Sequence, residues 1–474
     1  MSNAITVNRN ILDMEYAVRG PIPQRAAQLK LEGKKIIPCN IGNPQALGQK
    51  PITFYRQVLG LLEEPSRISK ERQLRNIFSN NNENDIELMS KYVLNYAEDF
   101  LSKMETGMGA YTDSKGPLFI REAVAKYIDN RDKVLLKSNL SANSNNIFIT
   151  DGASEGAKSI LELLITKSTD GIMIPIPQYP LYSATIRRCG GTQINYYPDE
   201  DSGWKLNKSI LENSYSKARE NNIDVKAIVV INPGNPTGSI LDQSSINEVI
   251  DFADKNNLII ISDEVYQENL YGAKFISFAS AVKDRDVPLF SLHSTSKGFY
   301  GECGHRGGYF EIRNAPKIKG TNLDFVSTLF KQASVNLCSN TVGQAMLYMM
   351  VNPPAPDTNT YKQFDLERQN ILDNLYEKAL IIKDAFNKMD GVESFGQVAA
   401  MYLFPRLNIM PIGKTDYDYC MGLLEETGLT TVNGSGFGQK EGTFHLRIAF
   451  LPSKKLLEEV LPKWIGFHNH FVNS

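Results

Sequence analysis

The chain has 474 residues, of which 42% are hydrophobic and 22% are charged, and these proportions are typical of a globular protein. They exclude a disordered chain, a collagen-like repeat and a small disulfide-rich protein. The formal net charge is −2, which argues against a protein built mainly to bind nucleic acid or an anionic membrane surface. The length predicts two or three domains, or one large core with a smaller one attached, at roughly 100–200 residues per domain.

The five cysteines are widely spaced and form no Cys-x-x-Cys or Cys/His cluster. We therefore expect reduced, structural thiols and no zinc site. No apolar run reaches the roughly 18 residues of a membrane-spanning helix. Residues 1–10 lack the hydrophobic core of a secretory signal, and the acids Asp13 and Glu15 interrupt the basic residues that a transit peptide would need. These features predict a cytoplasmic protein.

The first 50 residues are rich in Gly, Pro and Asn, and we expect them to form an extended arm. A helix is predicted next, with Phe54 and Val58 among the apolar residues on one face. A polar loop is expected over residues 79–85, and helical spacing resumes over residues 90–104.

In the middle third of the chain, short apolar runs alternate with helical patterns. Strands are predicted at residues 146–150, 171–175, 227–231, 258–262 and 288–293. Helices are expected over residues 157–166 and through residues 184–188, and Ser245 with Glu248 fits a capping box at the start of a helix to about Asn256. Continuous apolar strands between helices predict an α/β fold with a mostly parallel sheet covered on both faces.

The last third begins with a proline-rich segment, Pro353–Pro356, which predicts a hinge. A long helix is expected from about Tyr361 to Met389. Short strands at residues 400–404 and 443–450, followed by a final helix, indicate a smaller α+β domain.

In an open parallel sheet, ligands bind beyond the carboxyl ends of the strands. The segments that follow four predicted strands hold a small-residue turn, an amide-rich loop, an acid with a phenol, and a lysine: Asp151–Ser154, Asn232–Gly238, Asp263–Tyr266 and Ser294–Gly298. Each has an ordinary interpretation as a turn, a strand-end cap, a surface loop or the start of a helix. Their coincidence at one edge of the sheet favours a shared function.

Together these segments meet the requirements of pyridoxal phosphate. A lysine amine can form a Schiff base with an aldehyde. A helix N-terminus with small residues can bind a phosphate through its free N–H groups. An aspartate can keep a pyridine nitrogen protonated, and a tyrosine and an asparagine can hydrogen-bond a ring oxygen. We therefore predict pyridoxal 5'-phosphate as the cofactor.

The same residues resemble a known family. The runs Asn232–Gly238 (NPGNPTG), Ser262–Tyr266 (SDEVY) and Ser294–Lys297 (STSK) are similar to those of the fold type I aminotransferases. Further runs resemble the alanine aminotransferase branch of that family: Arg19–Pro23, Asn40–Gln45, Gly109–Asp113, Pro177–Tyr182 and Ser291–Gly308. The resemblance extends from about Tyr16 to about Pro452.

The resemblance implies a fold and a domain organisation. The expected fold is the fold type I transferase, with a mostly parallel central sheet flanked by helices and a smaller α+β domain. Residues 1–95 would form an N-terminal arm and part of the small domain. Residues 96–350 would form the large cofactor-binding domain, and residues 351–474 the C-terminal small domain.

For the cofactor ring, the resemblance implies five residues. Lys297 would form the Schiff base and, once released, move the proton from the substrate Cα. Asp263 would pair with the pyridinium nitrogen. Tyr266 and Asn235 would bind the 3-oxygen of the ring, and Tyr179 would stack on the ring face.

For the phosphate, the resemblance implies the backbone amides of Ala153 and Ser154. Ser294, Ser296 and Arg306 would add further hydrogen-bond donors. For Arg306 the alternative is an ordinary surface salt bridge.

The remaining expected residues concern the substrate and a partner subunit. Arg447 would bind the substrate α-carboxylate, a task suited to a bidentate guanidinium, although a charged residue in a strand is often solvated. Gly42, in the arm, would close over the substrate, and Asn235 would contact it. Tyr111 would reach the phosphate bound by the partner subunit, which implies an obligate homodimer with shared active sites.

The activity implied by the resemblance is a ping-pong transamination of L-alanine and 2-oxoglutarate to pyruvate and L-glutamate. Alternatives are a glutamate–glyoxylate or other small-amino-acid aminotransferase, and a C–S lyase or cyclopropane-forming synthase of the same fold. A catalytically inactive regulator or scaffold is a further alternative, against which the intact Lys297, Asp263 and Tyr266 argue.

Overall fold

A computed structural model describes residues 5–16, 20–78, 88–134, 140–283 and 285–473. The strands in these ranges, in chain order, are β1 (Ile37–Pro38), β2 (Ile147–Thr150), β3 (Asp170–Pro175), β4 (Thr192–Tyr196), β5 (Asp224–Ile231), β6 (Ile259–Asp263), β7 (Leu289–Ser294), β8 (Gly308–Arg313), β9 (Val392–Glu393), β10 (Tyr402–Leu403), β11 (Arg406–Leu407), β12 (Leu429–Thr430), β13 (Val432–Asn433) and β14 (Leu446–Ala449). The polar loop predicted at residues 79–85 lies outside the described residues.

The α-helices of the same ranges are α1 (Arg9–Leu12), α2 (Pro21–Leu31), α3 (Thr53–Glu63), α4 (Ser66–Phe78), α5 (Lys91–Lys103), α6 (Leu118–Asp132), α7 (Ala153–Leu164), α8 (Leu181–Cys189), α9 (Lys208–Glu220), α10 (Gln243–Asn256), α11 (Phe278–Val282), α12 (Phe325–Val335), α13 (Thr341–Val351), α14 (Asn359–Phe386), α15 (Asp416–Thr427) and α16 (Lys454–Phe471). Among the described helices, none is both long enough and apolar enough to cross a membrane.

The central feature is a seven-stranded sheet with the order β2-β8-β7-β6-β5-β3-β4. Its neighbouring strands are parallel except at β8, which runs antiparallel to both β2 and β7. Alternate residues of β5 belong to different cores, with Ala227 and Val229 in one and Ile228 and Val230 in another. Both faces of the strand are therefore covered by apolar packing, which is why its sequence is a continuous apolar run. The predicted α/β fold with a mostly parallel sheet is confirmed.

The two ends of the chain meet in space. Strand β1 pairs in parallel with β12, so that Ile37 lies opposite Leu429, and α2 packs on α15. Helices α3 and α5 pack on each other and share an apolar core with α6 and α13. The division at residues 95 and 350 stays a prediction.

Two local predictions were wrong. Residues of the expected extended arm form helix α2, because Pro21 and Pro23 occupy its first turn and Ile22, Ala26 and Leu29 are buried along one face. Proline at the start of a helix removes no hydrogen bond, so the proline-rich composition did not indicate extension here.

The capping box predicted at Ser245 is the second error. Helix α10 begins earlier, and Asp242 is its N-cap residue, accepting a hydrogen bond from the Ser245 N–H at 2.8 Å. The Ser245 hydroxyl instead accepts a bond from the Leu206 N–H at 3.2 Å, so it links the helix to a neighbouring loop.

Candidate active site

A cavity of about 600 Å³ lies at the carboxyl ends of the sheet strands. It is lined by Tyr16, Pro23, Asn40, Ile41, Gly42, Asn43, Ala153, Ser154, Tyr179, Leu181, Asn235, Val265, Tyr266, Ser294, Ser296, Lys297, Cys303, Arg306, Tyr402 and Arg447. The cavity therefore brings together the predicted site residues except Asp263 and Tyr111.

Lys297 lies just beyond the end of β7, and its Nζ donates a hydrogen bond to the Gly42 carbonyl at 2.9 Å. The same nitrogen is 5.7 Å from the centroid of the Tyr266 ring. Burial disfavours the charged amine, but the electrostatic influence of Tyr402 and Cys303 outweighs it and raises the pKa of Lys297. The Lys297 amine is thus held by Gly42, a residue 255 positions earlier in the chain.

Asp263 is the last residue of β6 and lies behind the cavity wall. Its Oδ2 accepts a hydrogen bond from the Tyr182 hydroxyl at 2.8 Å, and its Oδ1 accepts one from the Val265 N–H at 3.4 Å. Burial raises the pKa of this carboxyl, although the two hydrogen bonds and the charge of Lys297 oppose the effect. In the described part of the chain it forms no salt bridge, so a protonated ring nitrogen would supply a missing cationic partner.

Three polar side chains form a hydrogen-bonded chain along the cavity wall. Asn235 Nδ2 donates to the Tyr266 hydroxyl at 3.3 Å, and that hydroxyl donates to the Tyr402 hydroxyl at 3.3 Å. The positions of Asn235 and Tyr266, after β5 and β6, follow from the shared edge of these parallel strands.

The N-terminus of α7 faces the opposite end of the cavity. Gly152, at φ 83°, is the N-cap residue of the helix and has no side chain that could cap its first N–H groups. Arg306 Nη2 lies 3.3 Å from Ser154 Oγ, and its Nη1 lies 3.5 Å from Ser296 Oγ. Ser294 Oγ accepts a bond from the Ser296 N–H at 3.3 Å. An uncapped helix start beside a guanidinium and hydroxyl groups fits a phosphate.

Arg447 lies in β14 and is 1% exposed. Its Nη1 donates to Asn235 Oδ1 at 3.0 Å and its Nη2 to the Asn40 carbonyl at 2.5 Å, while its buried Nε finds no partner among the described residues. The guanidinium lies 4.3 Å from the ring centre of Tyr402 and 4.6 Å from that of Phe437.

The surroundings of Arg447 indicate an anionic ligand. The described residues give this arginine no acidic partner, and a buried guanidinium without a counter-ion is costly. A bound carboxylate would supply that counter-ion and satisfy the unpartnered Nε. The solvated alternative for this residue was wrong.

Several cavity residues were not predicted. Tyr402 and Asn40 contact Arg447, and Cys303 Sγ donates to the Ser296 carbonyl at 3.1 Å. The hydroxyl groups of Tyr16 and Tyr179 are 2.5 Å apart, which joins the arm to the cavity wall. The spacing of the cysteines in the sequence did not indicate a place in the site for Cys303. Its thiol lines the cavity, so burial in a core does not limit it to a structural role.

Tyr111 lies outside the cavity and is 76% exposed. Its loop is fixed by bonds from Ser114 Oγ to the Leu337 carbonyl at 2.7 Å and from Gln344 Nε2 to Thr112 Oγ1 at 2.8 Å. The single chain therefore does not use Tyr111 in its own cavity. Its expected contact with a partner subunit stays a prediction.

Residues 77–463 match the family described as aminotransferase class I and II. The chain belongs to this family. It is 41% identical to glutamate–glyoxylate aminotransferase 1 of Arabidopsis thaliana, over 99% of this chain and 96% of that protein. It is 40% identical to alanine aminotransferase 2 of Panicum miliaceum, over 98% of this chain and 97% of that protein.

Among solved structures, the chain resembles an alanine aminotransferase from Pyrococcus furiosus with a TM-score of 0.78 and 24% identity, over 98% of this chain and 100% of that one. At this identity the likeness shows the fold, which is that of fold type I. Family membership makes the chain a transaminase that depends on pyridoxal phosphate, as predicted.

Proposed function

We propose that the protein is an alanine aminotransferase, which converts L-alanine and 2-oxoglutarate to pyruvate and L-glutamate. The observation that carries the proposal is the pair of cationic groups in one cavity, the Lys297 amine and the buried Arg447 without a counter-ion. This pair fits an α-amino acid, whose carboxylate would bind Arg447 while its Cα lies near the lysine. The full-length relatives named alanine aminotransferase support the choice of substrate.

When bound, pyridoxal phosphate supplies a ring that accepts the electron pair released at the substrate Cα. Lys297 would hold the cofactor through its amine and, once released, would accept and return the Cα proton. Asp263 would pair with the ring nitrogen, and Tyr266 with Asn235 would hold the ring oxygen. Tyr179, which lines the cavity, would pack on the ring face.

At the phosphate end, the amides of Ala153 and Ser154 at the start of α7 would donate hydrogen bonds to the phosphate. Arg306, Ser294 and Ser296 complete the phosphate site. At the other end, the substrate carboxylate binds Arg447.

The arm, meaning the N-terminal segment that holds Tyr16 and residues 40–43, shields the reacting groups from water. Gly42 contacts the Lys297 amine through its carbonyl, and Tyr16 bonds to Tyr179. Because Asn40 bonds to Arg447, a carboxylate bound there is linked to the position of the arm. Exclusion of water strengthens the electrostatic contacts inside the cavity.

A panel of amino donors and oxo-acid acceptors tests the proposal. We expect the highest kcat/KM for L-alanine with 2-oxoglutarate. A glutamate–glyoxylate aminotransferase is the second candidate, since a relative of that name is 41% identical. A clear preference for glyoxylate over 2-oxoglutarate would select that second candidate. Release of a thiol, or formation of a cyclopropane amino acid, in reactions that contain no oxo-acid acceptor would instead identify a lyase or synthase.

We also propose that the protein works as a homodimer in which Tyr111 completes the partner's phosphate site. Support comes from apolar side chains exposed on and near the loop of Tyr111, namely Leu118, Val335 and Leu337, at 50%, 82% and 49% exposure. Exposed apolar groups of this kind are typical of interaction surfaces. Sedimentation of the active protein should show a dimer, and a monomer with full activity would contradict the proposal.

A cytoplasmic location is proposed as well. The cysteines of the described residues are free thiols, as expected in a reducing compartment. Several relatives are named as mitochondrial. Fractionation of cells that express the tagged chain would separate the two locations.

A further inference from the structure

Tyr402 of β10 lies between Arg447 and the residues proposed to hold the cofactor ring. Its side chain is 2% exposed, and its ring centre lies 4.3 Å from the Arg447 guanidinium carbon. Its hydroxyl accepts a hydrogen bond from the Tyr266 hydroxyl at 3.3 Å. One side chain thus contacts both the proposed carboxylate-binding residue and a proposed cofactor-binding residue.

The Tyr402 hydroxyl also faces the Lys297 amine. A Cβ atom built on Gly42 would lie 1.9 Å from Tyr402 Oη and 3.1 Å from Lys297 Nζ. The two atoms therefore border the same small space, which is open only because residue 42 has no side chain. The Gly42 carbonyl accepts a hydrogen bond from the Lys297 amine at 2.9 Å, which fixes the amine beside this space.

Two positive charges act on the phenol. Burial alone would raise the pKa of Tyr402. The charges of Lys297 and Arg447, together with the hydrogen bond from Tyr266, outweigh burial, and the pKa of Tyr402 is lowered overall. The titratable and charged groups that face Lys297 from the neighbouring elements are Tyr402, Cys303, Tyr179, Arg447 and Tyr266, and the more distant Asp263 also interacts with it. Among these groups, Tyr402 makes the largest contribution in favour of the charged amine.

We propose that Tyr402 is a positioning residue with two separable tasks: its hydroxyl stabilises the protonated Lys297 amine, and its ring holds the Arg447 guanidinium for the substrate carboxylate. The hydroxyl task follows from the shared space at Gly42. The ring task follows from the stacking of a cation on an aromatic face, which fixes a planar guanidinium in orientation.

Two variants separate the tasks. Tyr402→Phe removes the hydroxyl and keeps the ring, and its near-identical volume preserves the packing. Tyr402→Leu removes both. Tyr196→Phe is the matched control, because Tyr196 is fully buried and its hydroxyl donates to the Val229 carbonyl at 2.7 Å, away from the cavity.

The first measurement uses the full chain with its cofactor removed. Lys297 is acetylated with an amine-reactive reagent across a pH series, and its labelling rate is read by peptide mass spectrometry. We expect the pH of half-maximal labelling to fall by about 1 unit in Tyr402→Phe and in Tyr402→Leu, and to stay unchanged in Tyr196→Phe. An unchanged midpoint in Tyr402→Phe would overturn the hydroxyl task. Because no turnover is measured, that failure would leave the proposed aminotransferase function intact.

The second measurement is the steady-state kinetics of the loaded enzyme. Tyr402→Phe should lower kcat about tenfold and leave the KM for alanine within about twofold. Tyr402→Leu should in addition raise that KM about tenfold, since Arg447 loses its aromatic support. Equal KM values in the two variants would overturn the ring task.

Discussion

The two ends of the cavity each hold an arginine, but they are built in different ways. At the phosphate end, Arg306 donates to backbone carbonyls of Asp151 and Cys303 and to hydroxyls of neighbouring loops. At the carboxylate end, Arg447 is buried between two aromatic rings, and its protein acceptors are one amide and one backbone carbonyl. The first end is assembled from the segments that follow β2 and β7 and the one that precedes β8, the strand between them in the sheet. The second is assembled from segments brought together across the whole chain.

This difference has a consequence for binding. The phosphate end has a guanidinium already well supplied with protein acceptors, so a ligand adds to an existing network. The carboxylate end has a buried cation to which the described part of the chain gives no counter-ion, so ligand binding there relieves an electrostatic cost. Substitutions at the carboxylate end should therefore weaken substrate binding strongly, and substitutions at the phosphate end should weaken cofactor binding.

Lys297→Ala should have the largest effect, because Lys297 lies between the two ends and serves both. We expect steady-state turnover to fall by at least about a thousandfold, since a proton-transferring group is lost. Reduction with borohydride followed by mass spectrometry should link the cofactor to the wild-type chain and not to the variant. The exposed Lys91→Ala is the control. Near-normal turnover in Lys297→Ala would show that another group moves the proton.

Arg447→Met should raise the KM of both amino donors and lower kcat/KM by about a hundredfold or more, because a buried charge-assisted contact with the carboxylate is lost. Arg447→Lys should recover only part of this loss, since an ammonium cannot bind a carboxylate in the same bidentate way. Cofactor affinity, measured by titration of the cofactor-free chain, should stay within about threefold in both variants. Loss of cofactor affinity equal to the loss of substrate affinity would mean that the two ends are not separate.

Gly42→Ala tests the close approach of residue 42 to the Tyr402 hydroxyl and the Lys297 amine. A Cβ at this position would overlap Tyr402 Oη at 1.9 Å and contact Lys297 Nζ at 3.1 Å. We expect kcat to fall by about tenfold to a hundredfold while the chain stays folded. Gly466→Ala is the control, because a Cβ there meets no atom within 4 Å. Unchanged kcat in Gly42→Ala would show that the arm opens freely during turnover.

Gly152→Ala tests the phosphate end. Residue 152 has φ +83°, and a Cβ there would lie 2.4 Å from Arg306 Nη2. Gly33→Ala is the matched control, since it has φ +90° and no neighbour within 4 Å. Both variants should lose about 1–2 kcal/mol of stability from backbone strain. Only Gly152→Ala should bind pyridoxal phosphate about tenfold more weakly, with little change in KM for alanine. Equal cofactor affinity in the two variants would contradict the assignment of the phosphate end.

The different construction of the two ends of the cavity also explains which parts of the site could be predicted from the sequence. Asp263 ends a buried strand, and Asn235, Tyr266 and Lys297 lie within four residues of the end of one. Parallel strands place such residues at one edge, so local pattern was sufficient. The partners of Arg447 depend on long-range pairing, such as the register of Tyr402 with Ala449. No local pattern indicates that register, so the resemblance identified Arg447 while its surroundings were missed.

A final prediction concerns Glu264, which follows Asp263 directly and does not line the cavity. It accepts hydrogen bonds from Ser262 Oγ at 3.0 Å and the Phe278 N–H at 2.8 Å, and burial raises its pKa to about 7, although the charge of Arg131 opposes this. Because the folded-state pKa exceeds the ordinary value of 4.5, the folded chain should lose stability as the pH rises from about 4.5 to about 7.

Glu264→Gln should remove that dependence, since a neutral amide has no proton to lose. Above pH 7 the variant should be more stable than the wild type by about 1–3 kcal/mol, and at pH 4 the difference should be small. Denaturant unfolding of the loaded enzyme at several pH values measures both quantities. The KM for alanine should not change, because adjacent acids face different surroundings: Asp263 backs the cavity, and Glu264 points into the core beside Arg131. A raised KM in Glu264→Gln would show that the core behind the strand ends also shapes the site.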